Sequence, residues 1–423
     1  MEAAGPETAP EVLIDTVLPA ATGAPAAAVD DVGIRSRVAV WGPAVEVAPA
    51  ATGTFDDVTI RHVVYASGGG TRPRVRVSNL HGTTPLAVGH VDLAEQSLGG
   101  VAVPGSHHRL TFGGLGSVTV PAGTELFSDP ADMTITAGSN LLISIYLPED
   151  TGPATAHRAG LTRTYVSTAG DHAADDGSEN YPHLKYQASW YFLSGLDLLS
   201  PVATGTVVAF GDSITDGYGS TALTNRRYPD YLARRIAAAR GGANRTVVNA
   251  GMANNRVLRD VGDGAAGGRS ALSRFGHDAL GFENVRAVIL LEGVNDIMDD
   301  VTAAQLQEGY RQLVATAHER GVPVYGATIL PFGGSKAYNA RREAVRQQVN
   351  TGIRAGNVFD GYFDFDAKVC DPADRTRLRA DYALDDKLHL TDAGMSALAD
   401  AVDLRVIGAG VVWQLPAAPC WAA

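Results

Sequence analysis

The chain has 423 residues, 45% of them apolar and 19% charged, with a formal net charge of −12 and a pI near 5.3. That length exceeds what one core usually serves and implies two domains. The acidic balance argues against nucleic acid and anionic membrane surfaces as partners, which call for basic patches. No segment carries the run of about 18 apolar residues that a transmembrane helix needs. Cys370 and Cys420 fit no zinc or redox spacing and could form one disulfide or none.

Residues 1–30 read as an Ala/Pro/Thr-rich tail or linker. They lack the basic and apolar regions of a signal peptide. The composition resembles a mature secreted amino terminus, so the expectation is an extracellular protein without its leader, with a cytoplasmic one as the alternative.

From residue 31 to about 200 the pattern is all-β, with strands predicted over 58–65, 74–78, 86–91, 109–112, 117–120, 140–146 and 188–193. Gly, Pro, Asp and Ser fill the intervals, which suggests a β-sandwich of jelly-roll type. Arg61, Arg72, Arg74 and Arg76 alternate along two of these strands and read as a solvated sheet face. His107 and His108 point to opposite sides of a strand and cannot readily share a metal ion. The acidic stretch 171–179 lacks calcium-loop spacing and reads as a solvated loop.

Near residue 201 the texture changes to strands alternating with helix-length segments, the mark of a parallel sheet with crossovers. Strands are expected at 206–210, 245–250, 285–291, 322–330 and 358–365, and helices at 228–240, 302–319, 339–353 and 391–402. Five strands between helices form the flavodoxin-like, three-layer α/β/α pattern, here spanning 201–423.

The first of these strands runs into Gly211-Asp212-Ser213-Ile214-Thr215-Asp216-Gly217. A serine there stands at the carboxyl edge of the sheet, where open α/β folds bind ligands. Gly211 and Gly217 would let the chain turn and leave the Ser213 hydroxyl exposed. The plainer reading is a strand-to-helix turn capped by Asp212 or Ser213.

A serine nucleophile needs a base and a carboxylate to orient it. His318 closes a helix, and His277 precedes a strand and so belongs to the far edge of the sheet. His389 follows the fifth strand, at the edge where Ser213 emerges. Asp386, three residues before it, can take its Nδ1 proton, and Asp385 ranks second. Donors for an oxyanion are expected from Gly251 after the second strand, which reads equally as a plain turn glycine, and from Asn295 after the third, with Asp296 capping the next helix.

These four blocks, around Ser213, Gly251, Asn295 and Asp386–His389, resemble the GDSL or SGNH hydrolase family over about residues 204–405. Ile214 stands where the family name has leucine, and 252–255 replace a more glycine-rich loop. The resemblance implies ester hydrolysis through an acyl-enzyme without metal or other cofactor, with the Ser213 N–H joining Gly251 and Asn295 in holding the oxyanion. A β-sandwich ahead of such a domain resembles bacterial carbohydrate acetylesterases acting on polysaccharides such as xylan. The alternatives are a lipase or arylesterase, and a carbohydrate-binding protein whose hydrolase domain is inert. Trp41, Trp190, Trp413 and Trp421 could stack on sugars but are more simply core residues.

Overall fold

A computed structural model describes residues 36–186, 189–239, 244–262 and 265–408. The amino-terminal tail, Trp413, Cys420 and Trp421 lie outside the described residues.

The amino-terminal part is strand-rich and sandwich-like, and every strand pair in it is antiparallel. One sheet orders Ser36–Trp41, Leu193–Ser200, Gly70–Ser78 and Glu125–Phe127. A larger one is centred on Arg163–Ala169, Val58–Tyr65, Asn140–Leu147 and His90–Leu98. Alternate residues of both meet in one core: Val38, Val75, Val77 and Leu196 face Ile60, Val64, Leu93 and Ile143. Period-two patterning of this kind makes one face of each strand apolar and fixes its register.

Of the arginines expected on a solvated face, Arg72 is exposed but Arg61, Arg74 and Arg76 are turned inward. Arg61 is fully buried, and its guanidinium donates to the carbonyls of Gly100, His172, Ala173, Asp175 and Gly177. It thereby organises the acidic loop from within. Arg74 and Arg76 instead cross to the second half of the chain, reaching Glu283 Oε1 at 2.8 Å and the Gly281 carbonyl at 3.0 Å. Five donors on a planar fork let one arginine satisfy many carbonyls, which alternation along a strand does not reveal.

The carboxyl-terminal part is built on β1 (Thr206–Gly211), β2 (Thr246–Gly251), β3 (Val285–Leu291), β4 (Val324–Ala327) and β5 (Gly361–Phe363). All four pairings are parallel, in the order β2-β1-β3-β4-β5. Strands β1 and β3 are near-continuous apolar runs because both faces are covered. The helices are α1 (Ser213–Asp216), α2 (Tyr228–Ala238), α3 (Ala271–Asp278), α4 (Val294–Met298), α5 (Ala303–His318), α6 (Ala340–Arg354), α7 (Phe365–Val369), α8 (Asp392–Ala401) and α9 (Leu404–Gly408). Helix α2 packs on α8, and α5 packs on α3 and α6. Helix α3 was not foreseen: His277 lies on it rather than on chain entering a strand. Cys370 is buried and pairs with no other cysteine among the described residues.

Candidate active site

The order of the sheet reverses between β1 and its neighbours β2 and β3, so the carboxyl ends of these strands open a crevice. Ser213 opens α1 directly after β1 and is 8% exposed. The capping reading of the turn holds as well, because the Asp212 carboxylate accepts the Ile214 N–H at 2.9 Å. Gly211 has no positive φ; it is needed because a Cβ would stand 2.1 Å from the Leu291 carbonyl oxygen of β3. Gly217, at φ 98°, ends the short helix in the left-handed region that glycine enters freely.

Ser213 Oγ lies 2.8 Å from His389 Nε2, and His389 Nδ1 lies 2.6 Å from Asp386 Oδ2. The turn that achieves this is self-supporting. Asp386 Oδ1 accepts the backbone N–H groups of Leu388 and His389, each at 3.0 Å, while Lys387 takes φ 59°. Burial tends to raise the Asp386 carboxyl, but the bonds from His389 and Leu388 outweigh it and hold its pKa below the ordinary value. Residues 176 positions apart are thus in line for the serine proton to pass to the imidazole. The half-exposed ring of Tyr218 lies against that of His389, with centroids 4.5 Å apart.

Asn295 sits on α4 and donates one amide hydrogen to the Asn255 carbonyl at 2.8 Å, leaving the other free. Asp296 does not cap α4. Its carboxylate accepts the N–H groups of Val257 and Leu258 at 2.8 and 3.1 Å, fastening the loop after β2.

Gly251 is not a free donor. Its N–H goes to Asn249 Oδ1 at 3.0 Å, and a Cβ there would meet the Asp216 backbone nitrogen at 2.1 Å. The glycine is required for the passage of α1 over β2. The next two N–H groups are also taken, Met252 by the Gly211 carbonyl and Ala253 by Asp216 Oδ2. Asn254, at φ 64°, makes no backbone N–H bond among the described residues, and the same holds for Ser213. An asparagine in a left-handed turn was the available signal, since Asn tolerates that conformation better than other side chains.

Sequence reasoning also missed Arg274 on α3. Its buried guanidinium donates to the carbonyls of Gly211 and Ala250 and to Asn255 Oδ1, and pairs with Asp278 and Glu292. One side chain therefore ties together the ends of β1, β2 and β3. Around it burial raises the Asp212 carboxyl to about 7 and lifts Glu292 well above its ordinary range. Among the described residues no group of three or more His, Cys, Asp or Glu is placed to hold a metal ion, and no helix is long and apolar enough to cross a membrane.

Residues 209–397 match the GDSL-like Lipase/Acylhydrolase family. The chain therefore carries a GDSL-like lipase/acylhydrolase domain over those residues. No curated protein matches the chain. Among solved structures, a carbohydrate acetylesterase family member from Sinorhizobium meliloti is 18% identical with a TM-score of 0.37, covering 46% of this chain and 94% of its own. The aryl esterase of M. smegmatis is 16% identical with a TM-score of 0.36, covering 46% and 95%. Both likenesses are confined to less than half of this chain.

Proposed function

We propose that the protein removes short acyl groups, chiefly acetyl, from carbohydrate esters such as acetylated xylan. The observation that carries this reading is the hydrogen-bonded row Ser213–His389–Asp386. In it, Ser213 Oγ attacks the ester carbonyl while His389 takes its proton, and Asp386 orients and stabilises the imidazolium. The oxyanion is held by the N–H groups of Ser213 and Asn254 and by the free amide hydrogen of Asn295, with Asn254 in the role expected of Gly251. His389 then protonates the departing alcohol, and a water activated by the same imidazole releases the acid. No metal enters these steps.

The short acyl preference is supported by the small and polar residues after β2 and β3, Ala253, Asn254 and Asn295, which offer no broad apolar groove. We read the carboxyl-terminal domain as the flavodoxin-like three-layer form and residues 31–200 as a jelly-roll-like sandwich. A polymeric substrate would place the protein outside the cell. A second reading, an arylesterase, is favoured by the exposed face of Tyr218 beside His389, on which an aromatic leaving group could stack. Acetate release from acetylated xylan, measured beside aryl esters of increasing acyl length, tests both. Cleavage of long-chain esters alone would overturn the first reading.

A further inference from the structure

We propose that His157, from the strand-rich amino-terminal part, is a positioning residue for hydrolysis: through Asp216 it holds the turn that presents the Asn254 N–H. The role rests on the esterase reading above. His157 ends the strand Thr155–His157 and is 3% exposed, stacked on Trp190 with ring centroids 5.3 Å apart. Its Nδ1 lies 2.8 Å from the Ala44 carbonyl oxygen and its Nε2 3.0 Å from Asp216 Oδ1. A carbonyl oxygen only accepts, so Nδ1 carries a hydrogen; an ionised carboxylate only accepts, so Nε2 carries one too. Both nitrogens protonated make the ring an imidazolium, buried against a carboxylate.

Asp216 is the last residue of α1, three after Ser213, and its N–H is bonded to the Asp212 carbonyl at 2.9 Å. Its second oxygen, Oδ2, accepts the Ala253 N–H at 3.1 Å, one residue before Asn254. The sequence of contacts is therefore His157 to Asp216 to Ala253, joining the nucleophile's helix to the oxyanion turn.

Neighbouring charges are accounted for. Glu46 pairs with Arg158 at 2.8 Å and is raised by burial to about 7, and Arg227 lies over Trp190. Burial opposes the charge on His157, as does Arg227, but Asp216 outweighs them and holds its pKa above the ordinary value. A buried ion pair is costly to desolvate, and packing alone would be served as well by apolar groups. A pair set between two site segments serves orientation, where misplacement by about 1 Å can cost ~10²-fold in rate.

The test uses the full chain and three measurements. Nitrogen-15 spectra of the parent should show both His157 nitrogens protonated at neutral pH, with the ring titrating above its ordinary value. The variant His157→Gln keeps a donor toward Asp216 without the charge. It should lower kcat by roughly 10–10²-fold with KM for a short acetyl ester little changed, and remove the alkaline loss of activity. The Ala253 amide should also exchange with solvent faster in that variant. A neutral imidazole in the parent, or a folded variant with the parent's kcat and alkaline limb, overturns the proposal. If the parent cleaves no ester, the functional reading falls alone, because the ring titration and the Ala253 exchange still decide the coupling.

Discussion

Asn295→Ala separates the chemistry of the site from its scaffolding. The substitution removes two things at once: the amide hydrogen free to meet an oxyanion, and the donor to the Asn255 carbonyl at 2.8 Å. Loss of one oxyanion donor costs about 10²–10³-fold in kcat, or ~2.7–4 kcal/mol. Stranding a buried carbonyl costs about 1–3 kcal/mol of stability. For a chain of this size unfolding as one unit each kcal/mol lowers Tm by roughly 1 °C, so the midpoint should drop by about 1–3 °C. Steady-state kinetics on a short-chain aryl ester, beside a thermal scan, reads the two effects independently. KM should stay close to the parent's, because the bond to the oxyanion forms only in the transition state. A variant whose Tm falls while kcat holds would leave Asn295 a role in fastening the loop and remove it from the oxyanion site.

Ser213→Ala should reduce kcat by roughly 10⁵–10⁶-fold, as loss of a triad nucleophile does elsewhere, and no covalent adduct should form with an organophosphonate. Once the parent is labelled by that reagent, the Asn254 amide proton should move downfield while that of Gly251 stays, and the reverse would restore Gly251 as donor. Asn254→Gly should keep activity near the parent's, since φ 64° suits glycine, whereas Asn254→Val should cost about 1–2 kcal/mol in the same conformation. Gly251→Ala is expected to be inactive on either assignment, because its Cβ would meet the Asp216 nitrogen at 2.1 Å. His277 Nε2 lies 2.8 Å from Glu125 Oε2 across the two halves of the chain. Burial opposes its charge, but Asp278 and Glu125 raise its pKa to about 9, while Glu125, which burial would raise, is brought to about 2 by His277 and Arg76. A raised histidine stabilises fully below its unfolded value and loses that contribution as pH climbs through about 9; the depressed Glu125 loses its own as pH falls toward about 2. The Tm difference between the parent and His277→Gln should therefore be greatest near pH 5–6 and vanish above about 9; a constant difference would refute the pairing.

How much of this was legible in the sequence depended on the range of the interaction. Ser213, His389 and Asp386 were readable because each sits at a strand end or just before a helix, and alternation of strands and helices decides which edge of a parallel sheet that end occupies. The five strands emerged for the same reason, although β4 and β5 are shorter than the apolar runs suggested. Gly251 misled because a glycine admits two explanations, room for a ligand or room for another backbone, and only the folded chain shows α1 filling that space. Arg61 and Arg274 escaped notice for a related reason. A periodic pattern reports which face a side chain leaves from, while a guanidinium at the end of a long stem goes wherever unsatisfied carbonyls are.

The same limit bears on why the strand-rich part exists. A detachable binding module would meet the hydrolase domain through a rim of exposed, screened charges. Here the crossing contacts are buried or half-buried: His157 with Asp216, Arg74 with Glu283, His277 with Glu125, and Thr246 Oγ1 donating to the Ala39 carbonyl at 2.6 Å. Ala39 itself packs in the hydrolase core. Breaking the His157–Asp216 pair leaves an uncompensated partner away from water, which costs far more than loss of a surface pair. The two parts should therefore unfold together in a single transition. A hydrolase domain expressed from residue 201 onward should expose Asp216 to solvent and lose activity even where it stays soluble. An isolated domain with the parent's kcat would show that the sandwich touches the site without shaping it.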